Sequence, residues 1–234
     1  MTRTLFFIIA ATLIITSCAS DPLYPKQKMW AHRVNDTITL QQKELLFDGI
    51  ETDIYYSSSS NEIFVCHNDE DTINGLTLNM WFDALKEPQN HYYWLDVKNL
   101  TYQNADLIAE QILKITQKHN IKNKIFVESY NTYALKKVKR NDFRTLLWVE
   151  NLNWKDIDTS TWYAITKKAI DSVQPNAISC EYGMFPLLCD TFPDIDVHFW
   201  HTPANESTEN ITFTKEMCDK KNVKVVLVDY EKPY

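Results

Sequence analysis

Seven residues of this chain are of types that together can move protons and hold a cation: His32, Arg33, Glu51, Asp53, His67, Asp96 and Lys98. Glu51 and Asp53 stand two apart, and in extended chain that spacing puts both carboxylates on the same face of a strand. A hard divalent cation takes oxygen ligands, whereas flanking imidazoles are suited to transferring protons. Asp96 and Lys98 repeat the two-residue spacing, so an acid and an ammonium again point the same way. The types and spacings describe a metal-assisted acid/base site in which Arg33 and Lys98 can neutralise an anion.

Such residues converge only if the elements carrying them do. Apolar or β-branched runs recur at Met29–Val34, Gly49–Tyr56, Ile63–Cys66, Tyr92–Val97, Lys124–Tyr130, Thr145–Val149, Asn176–Tyr182, Asp196–Trp200 and Val223–Tyr230, and they read as buried strands. Helical periodicity lies between several of them. It is clearest over Ala105 to Lys118, where Leu107, Ile108, Gln111, Ile112 and Ile115 form a stripe, and weaker over Thr161–Val173 and Thr214–Asn222. With Ile63–Cys66 as a hairpin return, eight strand-helix units remain. The pattern predicts an α/β fold of one domain, a (β/α)8 TIM-type barrel. A doubly wound open sheet is the alternative, but there is no glycine-rich phosphate fingerprint and the chain has only 3 glycines. In a barrel the site lies at the C-terminal strand ends, which is where the acids, histidines and basic residues fall.

The ends of the chain carry different information. Arg3, an apolar run from Leu5 to Ile15 and then Thr16-Ser17-Cys18 match the zones of an export signal, and the run is too short to span a bilayer comfortably. Ile15-Thr16-Ser17-Cys18 resembles the lipobox of bacterial lipoproteins, which implies a signal over residues 1–17 and a lipid anchor on Cys18; residues 18–28 then read as a tether to the barrel expected over residues 29–234. The expected location is the bacterial cell envelope, exported and held to a membrane. A net charge of −7 gives no reason to expect nucleic acid as a partner. Cys66, Cys180, Cys189 and Cys218 lack zinc-site spacing, and Cys180 with Cys189 fits either a disulfide or two buried thiols.

Read together, His32-Arg33, Glu51-Thr52-Asp53, His67 and Leu95-Asp96-Val97-Lys98 resemble the His-Arg-Gly, Glu-x-Asp, second histidine and Leu-Glu-x-Lys of the glycerophosphodiester phosphodiesterase family, within the phospholipase-C-like phosphodiesterase barrels. Val127-Glu128-Ser129-Tyr130-Asn131 with Ala134-Leu135, Phe199-Trp200-His201-Thr202 and Val228-Asp229-Tyr230 continue the likeness to the chain's end. The resemblance implies a phosphoric diester hydrolase for glycerophosphodiesters or related phospholipid headgroups. It implies His32 and His67 as acid and base, without saying which is which, and Arg33 and Lys98 on the phosphate. Glu51, Asp53 and Asp96 would hold one divalent cation, Mg²⁺ or Ca²⁺. Asn35, Glu128 and Trp200 are candidates to line the substrate site. The chain departs from the family in Val34 for glycine, in the missing Pro-Glu-Asn-Thr, in Asp96 for glutamate, and in a short span from His67 to Asp96. His32-Arg33-Val34-Asn35 and Leu95-Asp96-Val97-Lys98 are similar to sphingomyelinase D-like enzymes, which implies the alternative of a lyase forming a cyclic phosphate. A decayed, phosphodiester-binding lipoprotein is the third reading.

Overall fold

The computed structural model describes residues 23–201 and 205–234. The expected signal and the lipidated Cys18 lie outside the described residues, as does Thr202. Among the described residues nine strands run in order: β1 (Met29–Ala31), β2 (Gly49–Ser57), β3 (Glu62–Val65), β4 (Tyr92–Val97), β5 (Ile125–Ser129), β6 (Arg144–Trp148), β7 (Ala177–Glu181), β8 (Val197–His201) and β9 (Val223–Val228). Eight of them are parallel and close on themselves, because β1 pairs with β9 on one side and with β2 on the other. β3 is the antiparallel return of β2, and its Phe64 also bridges Thr77. The expected (β/α)8 barrel is the fold.

The interior explains why period two mattered. Inward-facing residues change character from the N-terminal floor of the barrel to its C-terminal mouth. Trp30, Tyr92, Trp94, Phe126, Leu146, Ala177, Val225 and Leu227 pack as one buried cluster inside the barrel. Two residues further along, within or just past the ends of the same strands, the inward positions become His32, Asp96, Glu128, Trp148 and Asp229. Burial of the lower, largely aromatic layer stabilises the closed sheet, at roughly 25 cal/mol per Å² of apolar surface, and leaves the polar layer as the lid of that core. The other faces of the strands pack outward against the helices in a second, larger cluster.

The helices are α1 (Thr37–Lys43), α2 (Leu78–Asp83), α3 (Ala105–Lys118), α4 (Thr132–Arg140), α5 (Leu152–Lys155), α6 (Thr159–Val173), α7 (Leu187–Thr191) and α8 (Thr208–Asp219). α3 has its expected limits, but its buried face is Ala105, Ile108, Ala109, Ile112 and Thr116, whereas Leu107 of the expected stripe is exposed. Gln111 instead donates to Asn61 across the surface. α8 begins six residues before the expected Thr214, because the Ser207 hydroxyl caps it by accepting from the Asn210 amide. The Asn131 side chain caps α4 in the same way, so the Asn131 and Ala134-Leu135 signature is a helix start with two buried residues.

Two further differences bear on the site and its support. β1 stops at Ala31 rather than Val34, because Arg33 turns into the left-handed region at φ 52°. Residues 23–28, the described part of the expected 18–28 tether, lie against the barrel floor, where the Tyr24 ring stacks on Phe126 at 5.3 Å between centroids. Cys180 and Cys189 are both buried free thiols.

Candidate active site

The mouth is a cavity of about 330 Å³ whose wall includes His32, Arg33, Glu51, Asp53, His67, Asp96 and Lys98. Four sequence regions therefore meet in one place. Register is the reason: Asp53 of β2 lies beside Asp96 of β4, and Asp96 lies beside Glu128 of β5, so three acids occupy one level of the sheet. Glu51 is one inward step lower on β2.

Oxygens of Glu51, Asp53 and Asp96 lie within 4.8 Å of one another. Ions of the Ca²⁺ class bind oxygens at about 2.3–2.6 Å, so this spread suits a single ion between them, and the all-oxygen donor set suits a hard cation. Electrostatics agree. Burial, then the neighbouring charges of Asp53 and Asp96, push the Glu51 carboxyl well above the usual range, the signature of acids crowded without enough positive charge. Burial would raise Asp53 too, but the Lys98 ammonium at 2.7 Å and the Asn35 amide hold it below the ordinary value. Asp96 is raised by burial and by Asp53, against the pull of Lys98 at 2.5 Å. The two carboxylates in turn overcome the cost of burying the Lys98 ammonium and strengthen its hold on its proton.

The strained Arg33 has a local purpose. A non-glycine residue with positive φ costs of order 1 kcal/mol, and here the turn aims the Arg33 backbone N–H at Glu51 Oε2, 2.7 Å away. Val34, which stands where the resembled family has glycine, is fully buried, and its carbonyl accepts from the Trp81 indole of α2 at 2.9 Å. The valine therefore fills core space behind the turn and leaves the cavity alone.

His32 and His67 differ in setting. The His32 side chain is 7% exposed, and its Nδ1 lies 2.9 Å from Asp229 Oδ1, just beyond the end of β9. With Nδ1–H donating to Asp229, Nε2 is the free nitrogen, and it faces Glu51 Oε2 at 3.9 Å. His67 follows β3, is exposed at the rim, and its Nδ1 is 2.9 Å from Asn68 Oδ1. Of the candidate lining residues, Glu128 and Trp200 do face the cavity. Asn35 is behind it: its amide donates to Asp53 at 2.7 Å, and its oxygen accepts from the Asp53 N–H and the Thr52 hydroxyl. Asn35 is a buttress of Asp53 and not part of the described cavity wall.

Glu128 is buried among donors, accepting from the Trp94 indole at 2.8 Å and from the Ser179 hydroxyl, and burial, followed by Asp96, pushes its carboxyl well above the usual range. Sequence reasoning missed Asp229, Trp148 and Tyr130 as site residues. Trp148 and Tyr130 stand edge to face at 5.7 Å, and Trp148 lies 6.3 Å from Trp200, giving the mouth an aromatic half across β5, β6 and β8 opposite its charged half. All three ended or followed apolar runs, so the strand-end logic that selected Asp96 would have found them.

No protein-family model matches the chain, and no curated protein matches it in sequence. Solved structures do match in shape. A glycerophosphodiester phosphodiesterase from Parabacteroides distasonis superposes with a TM-score of 0.64 at 14% identity, over 88% of this chain and 94% of that one. The chain has the fold of the glycerophosphodiester phosphodiesterases. An Oleispira antarctica phosphodiesterase, solved with its product sn-glycerol-3-phosphate, gives 0.66 at 12% identity over 89% and 94% of the two chains. A glycerol uptake operon antiterminator regulatory protein from Listeria monocytogenes also matches, at 0.52 and 14% identity over 88% and 94%. Since a regulatory protein shares the barrel, the chemistry has to be argued from the mouth itself.

Proposed function

We propose that the protein is an exported, membrane-anchored phosphoric diester hydrolase that acts on glycerophosphodiesters or related phospholipid headgroups with the help of one divalent cation. The observation that carries this reading is the meeting of the Glu51, Asp53 and Asp96 oxygens with two histidines and two basic side chains in one barrel mouth. Glu51, Asp53 and Asp96 would hold Mg²⁺ or Ca²⁺. When bound, the cation supplies positive charge to the phosphoryl oxygens.

The remaining roles belong to the chain's own residues. Arg33 and Lys98 bind the phosphate and offset its growing negative charge in the transition state. His32 Nε2 accepts the proton of the attacking water, and Asp229 behind Nδ1 stabilises the resulting imidazolium. His67 at the rim gives a proton to the departing alkoxide. The bond from phosphorus to the water oxygen forms, the ester bond breaks, and a phosphomonoester and an alcohol leave. Trp148, Trp200 and Tyr130 supply the surface on which the alcohol portion rests. Anchoring follows from the signal and Cys18, both read from sequence.

The test is product analysis by phosphorus NMR. Glycerophosphocholine, glycerophosphoethanolamine and glycerophosphoinositol are offered with Mg²⁺, with Ca²⁺ or with a chelator. Linear phosphomonoester is expected only with cation, and Glu51→Gln should abolish both turnover and cation binding measured by calorimetry. A cyclic product would convert the assignment to a lyase. Wild type and His32→Ala equally inert across the panel would remove the enzymatic reading.

A further inference from the structure

The N-terminal segment does not leave the barrel at random. The Leu23 carbonyl accepts from Arg144, the first residue of β6, at 2.9 Å. Tyr24 packs into the floor against Phe126 and His198. The Gln27 side chain bonds the Leu46 carbonyl and the Asp48 amide just before β2, and its carbonyl accepts from the Trp30 indole. Lys28 reaches the carbonyls of Cys218 and Lys220 just before β9. Each of these partners lies near an N-terminal strand end, in the loop entering it or, for Cys218, in the last turn of the helix before it, and therefore on the face opposite the catalytic mouth.

We propose that this strapped floor faces the membrane holding Cys18 and that the mouth opens away from it, so that the site takes diesters dissolved in the aqueous phase and not lipids of the anchoring bilayer. The inference rests on the phosphodiesterase and lipoprotein readings above and narrows their substrate class. Five residue steps separate Cys18 from Leu23, a reach of about 17 Å even when fully extended. A domain of this size has a radius of about 21 Å, so a chain passing around it to bring the mouth to the membrane would need about 65 Å. The tether is too short by a factor of nearly four, on the order of these estimates.

Charge points the same way. Exposed Lys26, Lys86, Arg140, Lys220 and Lys221 stand on the floor side, interspersed with Glu87, Asp142 and Asp219, whereas the rim beyond His67 carries the acidic run Asp69-Glu70-Asp71, with Asp69 and Glu70 exposed and Asp71 half-buried. An anionic leaflet attracts the first set and repels the second.

The test uses the full chain, produced with its signal in a bacterial host and reconstituted into vesicles containing phosphatidylglycerol. Mass spectrometry of the N-terminal peptide reads the anchor. Fluorophores are placed by Lys221→Cys on the floor and Ser59→Cys at the mouth, with unsubstituted protein correcting for native thiols, and energy transfer to an acceptor lipid is measured. Transfer from position 221 should be at least threefold more efficient than from position 59. Dissolved glycerophosphocholine should be cleaved equally by the anchored protein and by Cys18→Ser, while phosphatidylcholine in the same vesicles is cleaved at least tenfold more slowly by the anchored form than the dissolved diester. Equal or reversed transfer, or embedded lipid cleaved as fast as dissolved diester, overturns the orientation, and so does an N-terminal peptide without lipid. If no diester is cleaved in any form, the phosphodiesterase reading and with it the substrate assignment fall, while the transfer measurement still decides which face meets the bilayer.

Discussion

Replacing Asp229 with asparagine tests the chemistry at the point where geometry is most specific. The His32 and Asp229 side chains are 7% and 24% exposed and 2.9 Å apart, so their contact is poorly screened by water. Asparagine keeps an oxygen for Nδ1–H and preserves the ring's orientation, but it removes the charge that stabilises the imidazolium. A hydrogen bond to a charged partner contributes about 1.5–3 kcal/mol. If that term is expressed in the transition state, kcat falls about 10- to 150-fold, at roughly 1.36 kcal/mol per decade. KM and cation affinity should stay within about twofold, because Asp229 does not touch the acids that would hold the cation. Initial rates on glycerophosphocholine, with cation titrated separately by calorimetry, separate these quantities. Asp229→Ala, which also frees the ring, should be slower still. An Asp229→Asn enzyme with wild-type kcat, or one impaired only in KM, would show that His32 is not the proton acceptor and that Asp229 serves only to hold the chain's end.

Two other predictions probe the scaffold beneath the mouth. Gly49→Ala would place a methyl group 2.0 Å from the fully buried Trp30 ring, and overpacking of this kind costs about 1–3 kcal/mol or more, so urea unfolding should move to clearly lower denaturant; an unchanged midpoint would mean that the floor is looser than described. His198 is enclosed by Tyr24, Trp30, Trp94 and Phe126, and burial pushes its pKa down to about 3. Since the unfolded ring titrates near 6.5, the unfolded chain gains a proton that the folded one refuses, and stability declines as the pH falls from about 6.5 toward 3, by about 2 kcal/mol at pH 5. His198→Phe should flatten that decline, and a variant with an unaltered slope would assign the acid sensitivity elsewhere.

Much of the fold was legible because barrel strands buried on both faces read as continuous apolar runs. Every expected strand is present, with limits shifted by no more than a few residues. The short helices α1, α2, α5 and α7 were not legible, since four to seven residues give too little periodicity to stand out. The signals of α1, α2 and α5 were caps rather than stripes, as at Asp36, which accepts from the Ile38 and Thr39 amides, whereas α7 has no side-chain cap. Leu107 is exposed because the face of α3 that meets the barrel is centred on Ala105, Ile108, Ala109, Ile112 and Thr116, and a stripe read from sequence does not fix that centre.

By itself, the sequence determined the alternation that puts Glu51 and Asp53 on one face of their strand and Asp96 and Lys98 on one face of theirs, since side-chain direction along a strand depends only on spacing. It also determined the order of strands and helices that makes a parallel barrel the economical arrangement. Which residues touch was decided by tertiary structure alone. Asp53 meets Asp96 through inter-strand register, His32 meets Asp229 across 197 positions when β1 and β9 close the barrel, and Asn35 turns from a candidate wall residue into a support. The docking of Leu23–Lys28 on the floor was equally invisible, because it depends on Tyr24 finding an aromatic cluster that exists only once eight strands have closed around it.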